Sequence, residues 1–303
     1  MRISNQMILR SSQGRLQSSL QGVDQLREDI SSGITIRKMS DNPTSSAEVV
    51  RVGSSLRAIA RFRQNSQTAT TRATAEESAL DQLTNTLTRA AELAVGQASG
   101  TSNAQTRLIA KAEVDQLITY GVSLANTKVG DDYLFAGTRS GEQPFQEPPS
   151  AAAPFSKLQD SLGASVNPSG STPMEVGDGT YVTPNHNGTE VFLNTDALES
   201  LRALSTALGN NDVPGISAAL GRVNAANSNV QTLIGTQGAR ANELDNARTN
   251  LNSLELTLTT FRSDLRDTEV DKALAELVGK QTLYQAAMGA TSKILSLSLA
   301  NYI

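Results

Sequence analysis

Residues 244–265 read LDNARTNLNSLELTLTTFRSDL, and their apolar spacing decides the fold. Leu244, Ala247, Leu251, Leu254, Leu258, Phe261 and Leu265 alternate steps of three and four without a miss. Such a heptad seam belongs to a helix that buries one narrow stripe against a partner. Backwards, the frame reaches Val230 and Leu233, with Gln237 and Arg240 as polar members. As one helix, 230–265 spans ~54 Å at ~1.5 Å per residue, so other long helices must lie beside it.

The frame slips at Asp267-Thr268-Glu269 and resumes in a new phase through Val270, Leu274, Leu277, Gln281, Tyr284, Met288, Thr291 and Leu295, with Leu299 beyond. A phase change at a polar cluster marks a joint between two helical segments. The front of the chain mirrors this. Leu9, Leu16, Leu20, Val23 and Ile30 fit one frame, with Gln13 and Arg27 as polar members and Leu26 left facing outward. Ser31-Ser32-Gly33 stops that helix, an extended ITIRK follows, and Ser40-Asp41-Asn42-Pro43 starts the next. Helix is expected from Thr44 to about Val95, from Ala104 to about Lys128 and near Asp196–Leu208. Leu80, Leu83 and Leu87 share a face of the first; Leu108, Val114, Leu117, Gly121 and Leu124 line the second.

Between the helical halves the composition changes. Seven of nine Pro residues fall between Pro144 and Pro184, and six of eleven aromatics between Tyr133 and Phe192. Residues 131–196 therefore read as a small β-rich insertion, with strands near Asp132–Ala136, Thr180–Thr183 and Glu190–Asn194. The expected fold is mainly α: an elongated antiparallel helical bundle or coiled coil formed by the N- and C-terminal halves, with that insertion. The chain thus divides into terminal helices 1–39 and 266–303, rod helices 40–130 and 197–265, and the insertion 131–196.

Composition narrows the function. The 303 residues include no Cys, no Trp and one His, with 4% aromatics and a net charge of −4. No disulfide scaffold or thiol chemistry is possible, no membrane span is present, and no stretch suits a secretory signal. The basic front of the chain lacks interleaved aromatics, so nucleic acid is not an expected partner. His186, in VTPNHNG, reads as a solvated loop residue, Glu76-Glu77 as a solvated helix face, and Asn187-Gly188-Thr189 as a weak glycosylation match. No metal, cofactor or catalytic set converges, and the protein is not expected to be an enzyme. The two ends, amphipathic and poor in helix propensity, are expected to be weakly ordered alone and to fold against neighbouring subunits.

The opening MRISNQM, the segment QLREDISSGITIRKMSDNP and the closing stretch from GARANELDNARTN to SKILSLSL resemble the flagellin family. Arg2-Ile3-Ser4 and Pro43 are similar to the adaptors of that family that join hook to filament; Asn42 stands where such adaptors often have Asp. The resemblance implies a structural adaptor secreted to the bacterial flagellum without a cleavable signal peptide, built in three layers: 1–39 with 266–303 as the inner assembly domain, 40–130 with 197–265 as the rod, and 131–196 facing outward. It further implies a homo-oligomeric ring, the first hook-associated junction protein below, flagellin above, a cytoplasmic export chaperone and the flagellar type III export apparatus. Leu9, Leu16, Leu20, Val23, Ile30, Val270, Leu274, Leu277, Tyr284, Leu295 and Leu299 are the expected subunit-interface residues. The rival readings are a filament subunit and, from another class, a surface hydrolase or adhesin with a site in the insertion around His186.

Overall fold

The computed structural model describes residues 2–99, 102–148, 153–157, 163 and 167–300; near the ends, side chains are described for 7 and from 10 to 293. Six α-helices dominate: α1 Arg2–Ser32, α2 Pro43–Gln97, α3 Ala104–Ala125, α4 Ala197–Gly209, α5 Val213–Arg266 and α6 Val270–Ala300. The chain is mainly α, as its heptads require. Contacts divide it into two compact units, Met1–Ala58 with Leu254–Ile303, and Ile59–Ser253.

The larger unit holds nearly all of the core. In α2 the buried positions Ala69, Ala73, Glu76, Leu80, Leu83, Leu87, Ala90 and Ala94 step by three and four. In α5, Ile216, Ala219, Val223, Ala226, Val230, Gln237, Leu244 and Leu251 keep the same rhythm. Small residues at many of these positions let helices approach with little aromatic filling. Gly121 of α3 shows the limit: a Cβ there would lie 2.9 Å from Leu198 Cδ2 on α4. Leu108, expected on the inner stripe of α3, is instead exposed, because the buried face of that turn is taken by Arg107 and Ala110. The Arg107 guanidinium donates to Gln97 O and Ser99 O and to Asn211 Oδ1, tying two loops to the helix.

The aromatic-rich stretch folds into this same core. Phe135 and Phe145 each meet Phe192 edge-on at 5.2 Å between ring centres, among Leu198, Leu201 and Leu204 of α4. Its strands are short. β1 Lys128–Val129 pairs antiparallel with β2 Asp132–Tyr133, and β3 Met174–Gly177 with β4 Thr180–Val182 across an Asp178-Gly179 turn. The strand expected at Glu190–Asn194 is instead a π-helical turn, Thr189–Leu193. Asn187 starts it with a capping box: Glu190 N donates to Asn187 Oδ1, and Asn187 N to Glu190 Oε2.

Candidate assembly interface

The smaller unit is built on α1 and α6, which lie against each other. Their direction is antiparallel: Ile34 bridges Asp267, and Gly22 lies beside the Lys280 side chain. Where the heptads break, the chain ties a joint. Thr35 N donates to Arg266 O at 2.8 Å, Thr268 N to Gly33 O at 2.9 Å, and the Thr268 hydroxyl to Asp29 O at 3.1 Å. Gly33 takes a left-handed φ of 69°, which is why the helix stop carries glycine. The Arg37 guanidinium clamps Glu28 at 2.7 Å and the buried Asp29 at 2.8 Å. Burial pushes the Asp29 carboxyl above its ordinary 3.8, against the pull of Arg37. Asp41 accepts from the backbone N–H of Lys38 and of Arg37, and these two bonds hold its carboxyl below the ordinary 3.8. The two sequence breaks, 235 residues apart from Gly33 to Thr268, thus form one structure.

The seam between α1 and α6 differs from the expected frame by a rotation. On α1 the covered positions are Ser12, Leu16, Ser19, Val23, Leu26 and Ile30, with Val23 3% exposed. Leu26 therefore points inward, and Leu20 points out. On α6 they are Ala273, Leu277, Lys280, Gln281, Tyr284, Ala287 and Thr291. Small and polar residues hold about half of these positions, so the intramolecular seam is thin. What they leave outside is apolar: Leu20, Val270, Leu274 at 45% exposure, Val278 at 62% and Met288. Of the expected interface residues, Leu16, Val23, Ile30, Leu277 and Tyr284 lie in the internal seam, while Leu20, Val270 and Leu274 face outward. Leu9, Leu295 and Leu299 lie outside the described side chains. Sequence reasoning missed Val278, which the chosen frame passed over by one residue.

The imbalance extends through the unit. Of forty buried apolar residues among the described side chains, this unit supplies three, Val23, Val52 and Ala273. Of seventeen exposed large apolar residues it supplies twelve. The α5 seam shows the change residue by residue: Leu244 and Leu251 are buried, and Leu254 and Phe261 are exposed.

The rival site around His186 has a different geometry. His186 is 5% exposed and Glu76 is fully buried, so neither is the solvated residue expected from sequence. Both Glu76 oxygens accept from His186 N at 3.1 Å, and Oε1 lies 2.7 Å from His186 Nδ1. His186 Nε2 lies 3.2 Å from the Thr236 hydroxyl. Gln237 Nε2 donates to Pro184 O at 2.9 Å, and Arg72 Nε to Asn185 Oδ1 at 3.0 Å. Side chains of α2 and α5 thereby grip the loop 184–186 from both sides. The imidazole is committed to that grip at both nitrogens. Among the described residues no group of three or more His, Asp or Glu could hold a metal.

Comparison with known proteins agrees with the joint and the paired ends. The model of the bacterial flagellin N-terminal helical region matches residues 3–140, and that of the C-terminal helical region matches 220–303. Flagellar hook-associated protein 3 of Escherichia coli (strain K12) is 25% identical over 315 residues, covering 99% of this chain and 98% of that one. Among solved structures, a flagellar hook-associated protein from Vibrio parahaemolyticus shares the fold with a TM-score of 0.64 at 20% identity, over 75% of this chain and 100% of that one. Xanthomonas campestris FlgL matches with 0.59 at 18%, over 70% and 99%, and Legionella pneumophila flagellar hook associated protein-3 with 0.57 at 14%, over 72% and 98%. Both helical halves that meet at the Gly33–Thr268 joint are thus matched as a pair, and the chain belongs to the flagellin family.

Proposed function

We propose that this chain is the structural adaptor at the bacterial flagellar hook–filament junction. Copies assemble through their terminal helices and present a platform on which flagellin polymerises. The observation that carries the reading is the thin core of the terminal unit, which exposes Leu274 and Val278 while burying three apolar residues among its described side chains. Covering what remains exposed of one such side chain contributes about 1 kcal/mol, roughly half of full burial, so a ring of copies gains in assembly what each copy lacks alone. The work is association, with no bond made or broken. Near-complete alignment with a hook-associated protein supports the junction over the filament itself.

The role calls for a homo-oligomeric ring, the first hook-associated junction protein below it and flagellin above it. It also calls for a cytoplasmic chaperone and the flagellar type III export apparatus, since the adaptor must reach the tip of the hook. A chain without Cys cannot crosslink on the way.

Deletion of the coding sequence tests this. The expected phenotype is intact hooks, no filaments, and flagellin shed into the medium, restored by the full chain. Filaments of normal length in the deletion strain would overturn the reading. Purified chain that elongates filament seeds indefinitely would point to a filament subunit instead.

A further inference from the structure

Residues 33–42 carry the chain from α1 into α2. Beyond Ile34, Arg37 ties this segment to the end of α1. Its guanidinium spans two neighbouring carboxylates in unequal surroundings: Nη1 donates to Glu28 Oε2 at 2.7 Å, and Nη2 to Asp29 Oδ1 at 2.8 Å. Glu28 is exposed, whereas the Asp29 side chain is 8% exposed. Water screens the Glu28 half of the fork, so the Asp29 half carries the clamp. Asp41 accepts the N–H groups of Arg37 and Lys38, which fixes the backbone from which the Arg37 side chain reaches out. The charged groups facing the Asp29 carboxyl are Arg37 and Asp41 from the segment, Glu28 from its own helix and Lys280 from α6. Arg37 also lines a cleft of about 400 Å³ together with Asp24, Glu28, Lys38 and Asp41.

We propose that Asp29 and Arg37 form a proton-operated latch, shut while the carboxylate is ionised and opened when it takes up a proton, which frees the segment 35–42 from α1. The latch does not depend on the junction reading. Its direction follows from reciprocity. Burial pushes the Asp29 carboxyl above its ordinary 3.8, and Arg37 pulls it back. A contact that favours the ionised form is weakened by the same factor when that form is lost. The neutral carboxyl stays buried, where burial favours it, but no longer attracts the guanidinium, and the cleft gives Arg37 room to swing away. Protonation thus favours the folded joint as a whole and opens the segment within it. Asp41 acts over a different range, because the Lys38 and Arg37 N–H groups hold its carboxyl below 3.8. At about pH 4 the two separate: Asp29 takes up its proton while Asp41 remains mostly ionised.

Nuclear magnetic resonance of the labelled full-length chain tests the latch. Exchange of the amides of residues 35–38, corrected for intrinsic rates, is compared at about pH 7 and about pH 4. Their opening should increase at least about fivefold at the lower pH, while the amides of Leu80–Ala94 stay protected. Asp29→Asn, neutral at every pH, should already show the open level at pH 7 and no step. Arg37→Gln should also abolish the step, and the titration midpoint of the Asp29 carboxyl carbon should move upward in it. A step that persists in either variant would overturn the latch, as would Asp29→Asn segments protected at pH 7 like those of the unsubstituted chain. Circular dichroism checks that both variants keep their helices. If Asp29→Asn does not fold, Arg37→Gln decides alone, and an unchanged or lowered midpoint overturns the proposal.

Discussion

At the scale of single residues, Glu76 and His186 show what a seam demands of a polar member. Stepping back from Leu87, Leu83 and Leu80 by three and four lands on Glu76, so a carboxylate in the buried frame was visible in sequence. Its partner was not, because His186 lies 110 residues away and only the folded loop brings it to 2.7 Å. Removing the imidazole leaves a buried carboxylate short of a donor. His186→Ala should cost about 3 kcal/mol, read from urea unfolding followed by circular dichroism. Glu76→Gln keeps an acceptor for the His186 N–H and should cost less. At the joint, the sign of pH dependence follows from Asp41. Its carboxyl is held down by the Lys38 and Arg37 N–H groups. Its contribution is therefore present above the unfolded value near 3.8 and is lost as pH falls through the lower folded value. Asp29 runs the other way: raised by burial, it stabilises most at low pH and loses that contribution as pH rises through its folded value. Asp41→Asn should abolish the acid loosening of the joint below about pH 4, measured by hydrogen exchange at residues 33–41.

At the scale of elements, the long helices were legible because heptad periodicity is a local signal. Leu244, Leu251 and Val230 are buried where the frame placed them, and the break at Asp267–Glu269 separates α5 from α6. The rotation of the α1 seam was not legible. Leu16, Val23 and Ile30 fit two frames at once, and choosing between Leu20 and Leu26 depends on what α6 offers across the contact. Likewise Val191 and Phe192 have strand propensity, yet the capping box at Asn187 and the packing of Phe192 between two other phenylalanines impose a helical turn. The same helix then behaves differently along its length. Leu244→Ala should cost about 3 kcal/mol, whereas Phe261→Ala should cost less than about 1 kcal/mol in the free chain. Comparing the two urea midpoints checks this. Leu274→Ser with Val278→Ser should leave helix content unchanged and lower the amount of chain recovered in flagella, measured by immunoblot of the flagellar and culture-medium fractions.

At the scale of the whole molecule, the buried core and most of the exposed large apolar residues fall in different units among the described side chains. The larger unit has the aromatic cluster, the polar grip on loop 184–186 and nearly all of the buried apolar residues. The terminal unit has a joint of hydrogen bonds and a seam whose described side chains are mostly only partly covered, so its helices depend on few buried contacts. Local opening free energy follows buried contacts, and the two units should therefore open separately in the free protein. Amides of α1 and α6 should exchange at least about 100-fold faster than those of Leu80–Ala94 and α4, a difference of about 2.8 kcal/mol at ~1.4 kcal/mol per tenfold. Equal protection from end to end in the monomer would contradict this, since it would mean that the outward leucines and valines contribute nothing further on assembly. In isolated flagella the same amides should slow toward the values of the larger unit, because a neighbour that binds only the ordered helices stabilises them by mass action. The contrast between the two exchange maps, residue by residue along α6, would trace the face on which the next copy sits.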